Sequence, residues 1–173
     1  MLALARSVVQ ASNSTKSGKW EKKKFLGHEL RGKTLGVIGL GSIGRETVRR
    51  ARAFEMRILA CDPYVTPATA SDLSIELVDL DRLYAESDFI TLHLALTPET
   101  KNLVSGEAFA KMKRGVYIVN CARGELIDPE ALRAALESGQ VAGAALDVFS
   151  PEPPPPDCPL FAFDNVIASP HIG

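Results

Sequence analysis

The chain has 173 residues, 46% of them hydrophobic and 24% charged, with 20 Lys and Arg against 21 Asp and Glu. A single-domain length with that balance can bury a core unaided, which excludes a disordered, collagen-like or low-complexity chain. The net charge of −1 supplies no global positive field for nucleic acid or an anionic membrane. No apolar run approaches the ~18 residues that span a bilayer. Cys61, Cys121 and Cys158 are odd in number and widely spaced, which suits neither a disulfide framework nor zinc. No metal site is expected, and a reducing cytoplasm is the simplest setting.

Met1 to about Gln10 is rich in Leu, Ala and Val and predicts a helix. The chain opens in what reads as mid-helix, so an excised domain is expected. Ala11 to Gly32 is polar, and its lysines (Lys16, Lys19, Lys22, Lys23 and Lys24) read as a solvated surface. Trp20 and Phe25 interrupt it, and large aromatics usually find a pocket or a partner. Thr34 to Gly39 is a short apolar run that fits a buried parallel strand. A helix follows from Ser42 to about Glu55. A second strand covers 57–61 and stops at Asp62-Pro63.

The pattern then repeats. A short strand is predicted at 75–78, and a short helix at 79–85 with Asp79 at its dipole-favoured start. A strand at 89–93 precedes a helix at 105–112, and a strand follows at 116–119. Asp128-Pro129 is a helix start, with the acid as N-cap and proline in the first turn, and Gly139 is the stop. Val141 to Leu146 is a strand of small residues. Pro151 to Pro159, with four consecutive prolines at 153–156, predicts a stiff extended loop. Val166 to Ala168 is a last strand.

Strands alternating with helices predict an α/β, Rossmann-type doubly wound fold, a mostly parallel sheet with helices on both faces. Residues 1–30 read as an N-terminal helix and arm, and residues 31–173 as the nucleotide-binding domain. Ligands of such sheets lie beyond the carboxyl ends of the strands. Gly39-Leu-Gly41-Ser-Ile-Gly44 sits at that place after the first strand and opens a helix. Gly39 permits the tight turn, Gly41 lets backbone approach a pyrophosphate, and Gly44 lets helix and strand pack closely. Asp62, at the end of the second strand, suits the adenosine ribose hydroxyls and repels a 2′-phosphate, so the cofactor reads as NAD.

Three more groups follow strand ends: Asn120-Cys-Ala-Arg123-Gly124, then Asp147 with Glu152, then Ser169-Pro170-His171. Each alone has a bland reading, as a surface charge, a solvated carboxylate or an incidental histidine. Together, and in this order, they resemble the nucleotide-binding domain of the D-2-hydroxyacid dehydrogenases over essentially the whole chain. Gly18-Lys-Trp20, Phe25-Leu-Gly and Glu29 to Gly36 resemble most closely the branch that oxidises 3-phosphoglycerate for serine synthesis.

The resemblance implies roles. Arg123 would grip the substrate carboxylate with its planar fork. His171 would be the acid/base, and Glu152 its partner, favouring the imidazolium. Ser42 and Ile43 would flank the pyrophosphate and Pro63 the adenosine. Leu94 and Thr100 would contribute from the loop after the strand at 89–93. Cys121 and Ala122 would pass beneath the nicotinamide ribose, and Asp147 would meet the carboxamide. Arg123, His171 and Gly173 complete the cofactor contacts. Cys121 reads as a packed small residue, His93 as structural and His28 as surface. Ser42 stands where the family often has Arg, and Ala95 where it often has Pro, which predicts a looser loop there.

Members of the family have a second, substrate-binding lobe. It is expected to be absent here, so this chain would bind NAD(H) but catalyse poorly. The resemblance further implies a homodimer, with the arm of residues 1–30 reaching to a partner that covers Trp20 and Phe25. The substrate is expected to be a small 2-hydroxy acid, with 3-phosphoglycerate favoured over glyoxylate, hydroxypyruvate or lactate. An NAD(H)-sensing corepressor-like module would retain the same Arg, Glu and His.

Overall fold

The computed structural model describes residues 1–173. Seven strands form one sheet: β1 (Thr34–Ile38), β2 (Arg57–Cys61), β3 (Glu76–Leu77), β4 (Phe89–Leu92), β5 (Val116–Asn120), β6 (Val141–Leu146) and β7 (Val166–Ala168). Every pairing is parallel, in the order β3-β2-β1-β4-β5-β6-β7. Parallel neighbours need crossovers, and these are supplied by α3 (Ser42–Ala53), α4 (Pro67–Leu73), α5 (Leu80–Glu86), α6 (Gly106–Lys111) and α7 (Pro129–Glu137). From β1 the chain moves one way, to β2 and β3. It then returns to lay β4 on the other side of β1. The switch point lies at the carboxyl ends of β1 and β4, where a doubly wound sheet holds its ligand.

Alternate residues of the strands build two cores. On one face Leu35, Val37, Ile58 and Phe89 pack with Val48 and Ala51 of α3. On the other, Ile38, Ile90, Leu92 and Ile118 pack with Leu83 of α5, Phe109 of α6 and Leu132 and Leu136 of α7. The small residues of β6 are needed for close approach. A Cβ at Gly143 would meet the Asn165 carbonyl oxygen at 2.8 Å and the Leu4 side chain at 3.4 Å.

The sequence reading is corrected at four places. The N-terminal helix is two helices, α1 (Leu2–Ala5) and α2 (Val8–Lys16), broken where Ser7 adopts a left-handed conformation at φ 48°. Its second half runs beyond Gln10 into the polar segment. Helix α4 was not expected; the Thr66 hydroxyl caps it by accepting from the Thr69 N–H, with Pro67 in the first turn. The proline-rich stretch is not an extended rod. It bends at 150–153 and turns at 156–157, with cis peptides before Pro151 and Pro153. The loop after β4 is not loose, since the Thr100 hydroxyl donates to the Ala95 carbonyl and accepts the Thr97 N–H, each at 2.8 Å.

The N-terminal segment is anchored at both ends. Ala5 and Leu30 are buried in the domain core, and the Ala5 carbonyl accepts the His28 N–H at 2.7 Å. Between these anchors α2 stays tied to the domain, since the Gln10 side chain donates to the Asp164 carbonyl, and Phe25 is half-buried, whereas Trp20 is 84% and Leu26 74% exposed.

Candidate functional site

The glycine-rich turn leaves β1 at Gly39, whose φ of 95° only glycine adopts without strain. A Cβ at Gly39 would also strike the His93 carbonyl, and one at Gly44 would strike the Gly39 carbonyl oxygen, so the turn, β4 and α3 close on one another without side chains. Gly41 is different. Nothing lies within 4 Å of where its Cβ would be. The N–H groups of Gly41, Ser42, Ile43 and Gly44 have no protein acceptor, and the first helical bond is Arg45 N–H to the Gly41 carbonyl at 3.0 Å. An open backbone with four free donors at a helix start fits a pyrophosphate. Ser42 and Ile43 are both exposed beside it.

Asp62 closes the other side. One carboxylate oxygen accepts the Leu40 N–H at 2.7 Å and the other the Tyr64 N–H at 2.8 Å. The acid expected to read the ribose therefore also ties the end of β2 to the glycine turn, while each oxygen keeps capacity for a hydroxyl. Pro63 is exposed next to it, and Leu94 packs beside Gly39. The Thr100 hydroxyl is occupied by its own loop. His93 is structural: its Nε2 lies 3.1 Å from the Thr91 hydroxyl, and burial lowers its pKa.

The ends of β5, β6 and β7 carry the second cluster. Asn120, 1% exposed at the end of β5, donates from its side-chain amide to the Arg123 carbonyl at 2.9 Å. Its side-chain oxygen accepts the Ala122 N–H at 3.0 Å, so one buried amide shapes the loop that presents Arg123. The guanidinium is exposed and donates to the Ala122 carbonyl at 2.6 Å. Cys121 is exposed rather than packed, which corrects the sequence reading; partial burial pushes its thiol pKa up, away from a thiolate nucleophile.

Asp147, 3% exposed, organises the end of β6. Its carboxylate accepts the Ser169 hydroxyl at 2.5 Å and the N–H groups of Ile172 and Gly173 at 3.0 and 2.7 Å. The Ser169 hydroxyl, first among these bonds, holds its pKa below the usual range. Its carbonyl takes the His171 N–H at 2.9 Å. The side chain expected to face a carboxamide is thus engaged with the segment that carries His171, whose φ is 54°.

Glu152 bridges loop and imidazole. One oxygen accepts the Phe149 N–H and the other lies 2.9 Å from His171 Nδ1. The Phe149 N–H, then His171, hold its pKa below the usual range, with Arg123 adding a favourable charge. An ionised carboxylate only accepts, so Nδ1–H is the donor and Nε2 is the free nitrogen. Phe149, Phe161, Ser169, Glu152, Asp147 and His171 line a cleft of about 530 Å³. Arg123 is outside that lining, and the glycine turn and Asp62 form a separate group at the switch point. Sequence reasoning missed the positioning roles of Asn120 and Ser169. Both stand inside the motifs it quoted, but neither carries a charge that marks it.

Over residues 1–173 the sequence matches the family described as D-isomer specific 2-hydroxyacid dehydrogenase, NAD binding domain. The chain belongs to that family. Its cofactor is NAD. The chain is 54% identical over 172 residues to D-3-phosphoglycerate dehydrogenase of Archaeoglobus fulgidus, covering 99% of this chain and 33% of that protein. It is 54% identical over 175 residues to hydroxypyruvate reductase of Thermotoga maritima, covering 100% of this chain and 56% of that protein. A glyoxylate reductase crystal structure from Paecilomyes thermophila superposes with a TM-score of 0.92 at 43% identity, covering 100% of this chain and 52% of that one. The chain thus spans a third to about half the length of these relatives. The all-parallel sheet places it with this family's Rossmann-type domains.

Proposed function

We propose that this domain is the NAD(H)-binding half of a D-3-phosphoglycerate dehydrogenase, which interconverts 3-phosphoglycerate and 3-phosphohydroxypyruvate on the way to L-serine. The observation that carries the dehydrogenase reading is the Glu152–His171 pair, 2.9 Å apart and set beside the Asp147-held loop. The substrate reading is supported by the 54% identity to a D-3-phosphoglycerate dehydrogenase. The match to hydroxypyruvate reductase at the same identity favours a second reading, a reductase of an unphosphorylated 2-keto acid.

Bound NAD supplies the hydride acceptor. His171, held by Glu152 on Nδ1, uses Nε2 to take the proton of the C2 hydroxyl and returns it in the reverse direction. Glu152 holds the ring orientation and offsets the imidazolium charge. Arg123 binds the substrate carboxylate as a two-pronged donor and polarises the adjacent oxygen. Asn120 and Asp147 hold the backbone on which these side chains stand. His171, Glu152 and Arg123 are all open to solvent on this domain. We therefore infer that a second lobe must close over them to exclude water, and that this domain alone is a poor catalyst. Three unpaired cysteines suit a reducing cytoplasm.

The arm is read as a dimer contact, supported by Trp20 and Leu26, which stand in solvent between the anchored ends of the segment. The test of function has two parts. Calorimetric titration of this domain should give saturable NADH binding, with NADPH much weaker. The full-length protein should then show NAD reduction with 3-phosphoglycerate at a higher kcat/KM than with glycerate or lactate. A preference for the unphosphorylated acids selects the second reading.

A further inference from the structure

Arg45 stands in the first turn of α3, and its Nε donates to the Leu40 carbonyl at 2.9 Å. The Leu40 N–H is held by Asp62 at 2.7 Å. These two groups belong to different peptide planes. Asp62 fixes the Gly39–Leu40 plane and Arg45 fixes the Leu40–Gly41 plane. The latter peptide is trans, so its N–H, that of Gly41, points opposite to the carbonyl that Arg45 holds. That N–H has no protein acceptor, and a Cβ on the same residue would meet nothing within 4 Å, so a ligand can approach the backbone there.

We propose that Arg45 is a positioning residue for the cofactor. Its guanidinium, by holding the Leu40 carbonyl, aims the Gly41 N–H at the pyrophosphate and strengthens it as a donor. A cationic donor on the carbonyl polarises the whole amide, and hydrogen bonds in a chain reinforce one another. The Arg45 guanidinium thus acts on the anion through one peptide. Asp62 and Arg45 between them hold both planes flanking Leu40, whose side chain is buried under α3. A loop fixed in this way meets the anion without first being ordered, which is where affinity is otherwise lost. The inference rests on the NAD reading of this loop.

The test uses the chain, Arg45→Met and Arg45→Lys, with NADH titrated by calorimetry and amide spectra recorded without cofactor. Arg45→Met should weaken NADH about tenfold, the scale of one charge-assisted hydrogen bond. It should also move the Gly41 amide proton upfield while the amides of β5, β6 and β7 stay in place. Arg45→Lys, which keeps a cationic donor and serves if the Met variant does not fold, should bind NADH within about threefold of the parent. The inference is overturned if Arg45→Met binds NADH within twofold of the parent. It is equally overturned if affinity falls with the Gly41 amide unmoved. If the parent protein binds no NADH, the NAD reading of the loop fails instead, and the Gly41 shift still reports whether Arg45 holds that peptide.

Discussion

Single atoms at this site carry separable tasks, and substitutions can address them one at a time. Glu152→Gln keeps the size of the side chain and an acceptor oxygen for Phe149 or His171, but removes the charge that offsets an imidazolium. In the full-length protein it should lower kcat/KM by about 10- to 100-fold, part of what a positioned acid/base supplies, with folding unchanged by circular dichroism. Tyr84 poses a different question. It is 3% exposed, its hydroxyl has no hydrogen-bond partner, and burial pushes its pKa up to about 12. A buried hydroxyl without a partner is a cost, so Tyr84→Phe should raise stability by about 1 kcal/mol in urea unfolding near neutral pH. The sign of the pH effect follows from linkage. An unfolded tyrosine ionises near pH 10 and the buried one does not. Stability is therefore full below about pH 10 and falls as the pH rises towards 12. The Phe variant should lack that part of the alkaline loss.

At the scale of elements, the contact of α3 with β1 depends on a missing Cβ. Gly44→Ala would drive a methyl into the Gly39 carbonyl, which is backbone and cannot swing aside. A loss of about 1–3 kcal/mol of stability is expected, together with weaker NADH binding, read by thermal unfolding with and without NADH. The strands were legible because a parallel sheet buried on both faces demands apolar runs. Thr34–Ile38 and Phe89–Leu92 are such runs, buried throughout. Asp128-Pro129 announced α7, and the Asp128 carboxylate does cap it, accepting the Glu130 and Ala131 N–H groups. Thr66-Pro67 is a signal of the same kind, and α4 was missed because it buries only Ala70 and so presents no apolar stripe to read. The Glu152–His171 pair was legible through its motif. The grip of Asp147 on Ser169 and the amide staple of Asn120 were not, since a carboxylate or amide in a sequence does not declare which distant backbone groups it will hold.

At the scale of the whole molecule, the exposed arm is the feature that a single copy leaves unsatisfied. If it forms the contact between two copies, Trp20→Ala together with Leu26→Asp should convert a dimer to a monomer in light scattering at micromolar concentration, with the far-ultraviolet spectrum unaltered. A parent protein that is already monomeric there would remove the dimer from the proposal. The two outermost strands bear on how such a pair can form. β3 is two residues long and β7 three. β3 is also flanked by the exposed ion pairs that join Glu76 to Arg57 and Arg82. A growing ladder needs a long, flat row of unpaired amides, and neither margin of this sheet offers one. The protein therefore cannot propagate by adding strand to strand. An all-parallel sheet has been given two blunt borders, which guards it against edge-to-edge aggregation and would leave side-chain contacts to join the two copies of the proposed dimer.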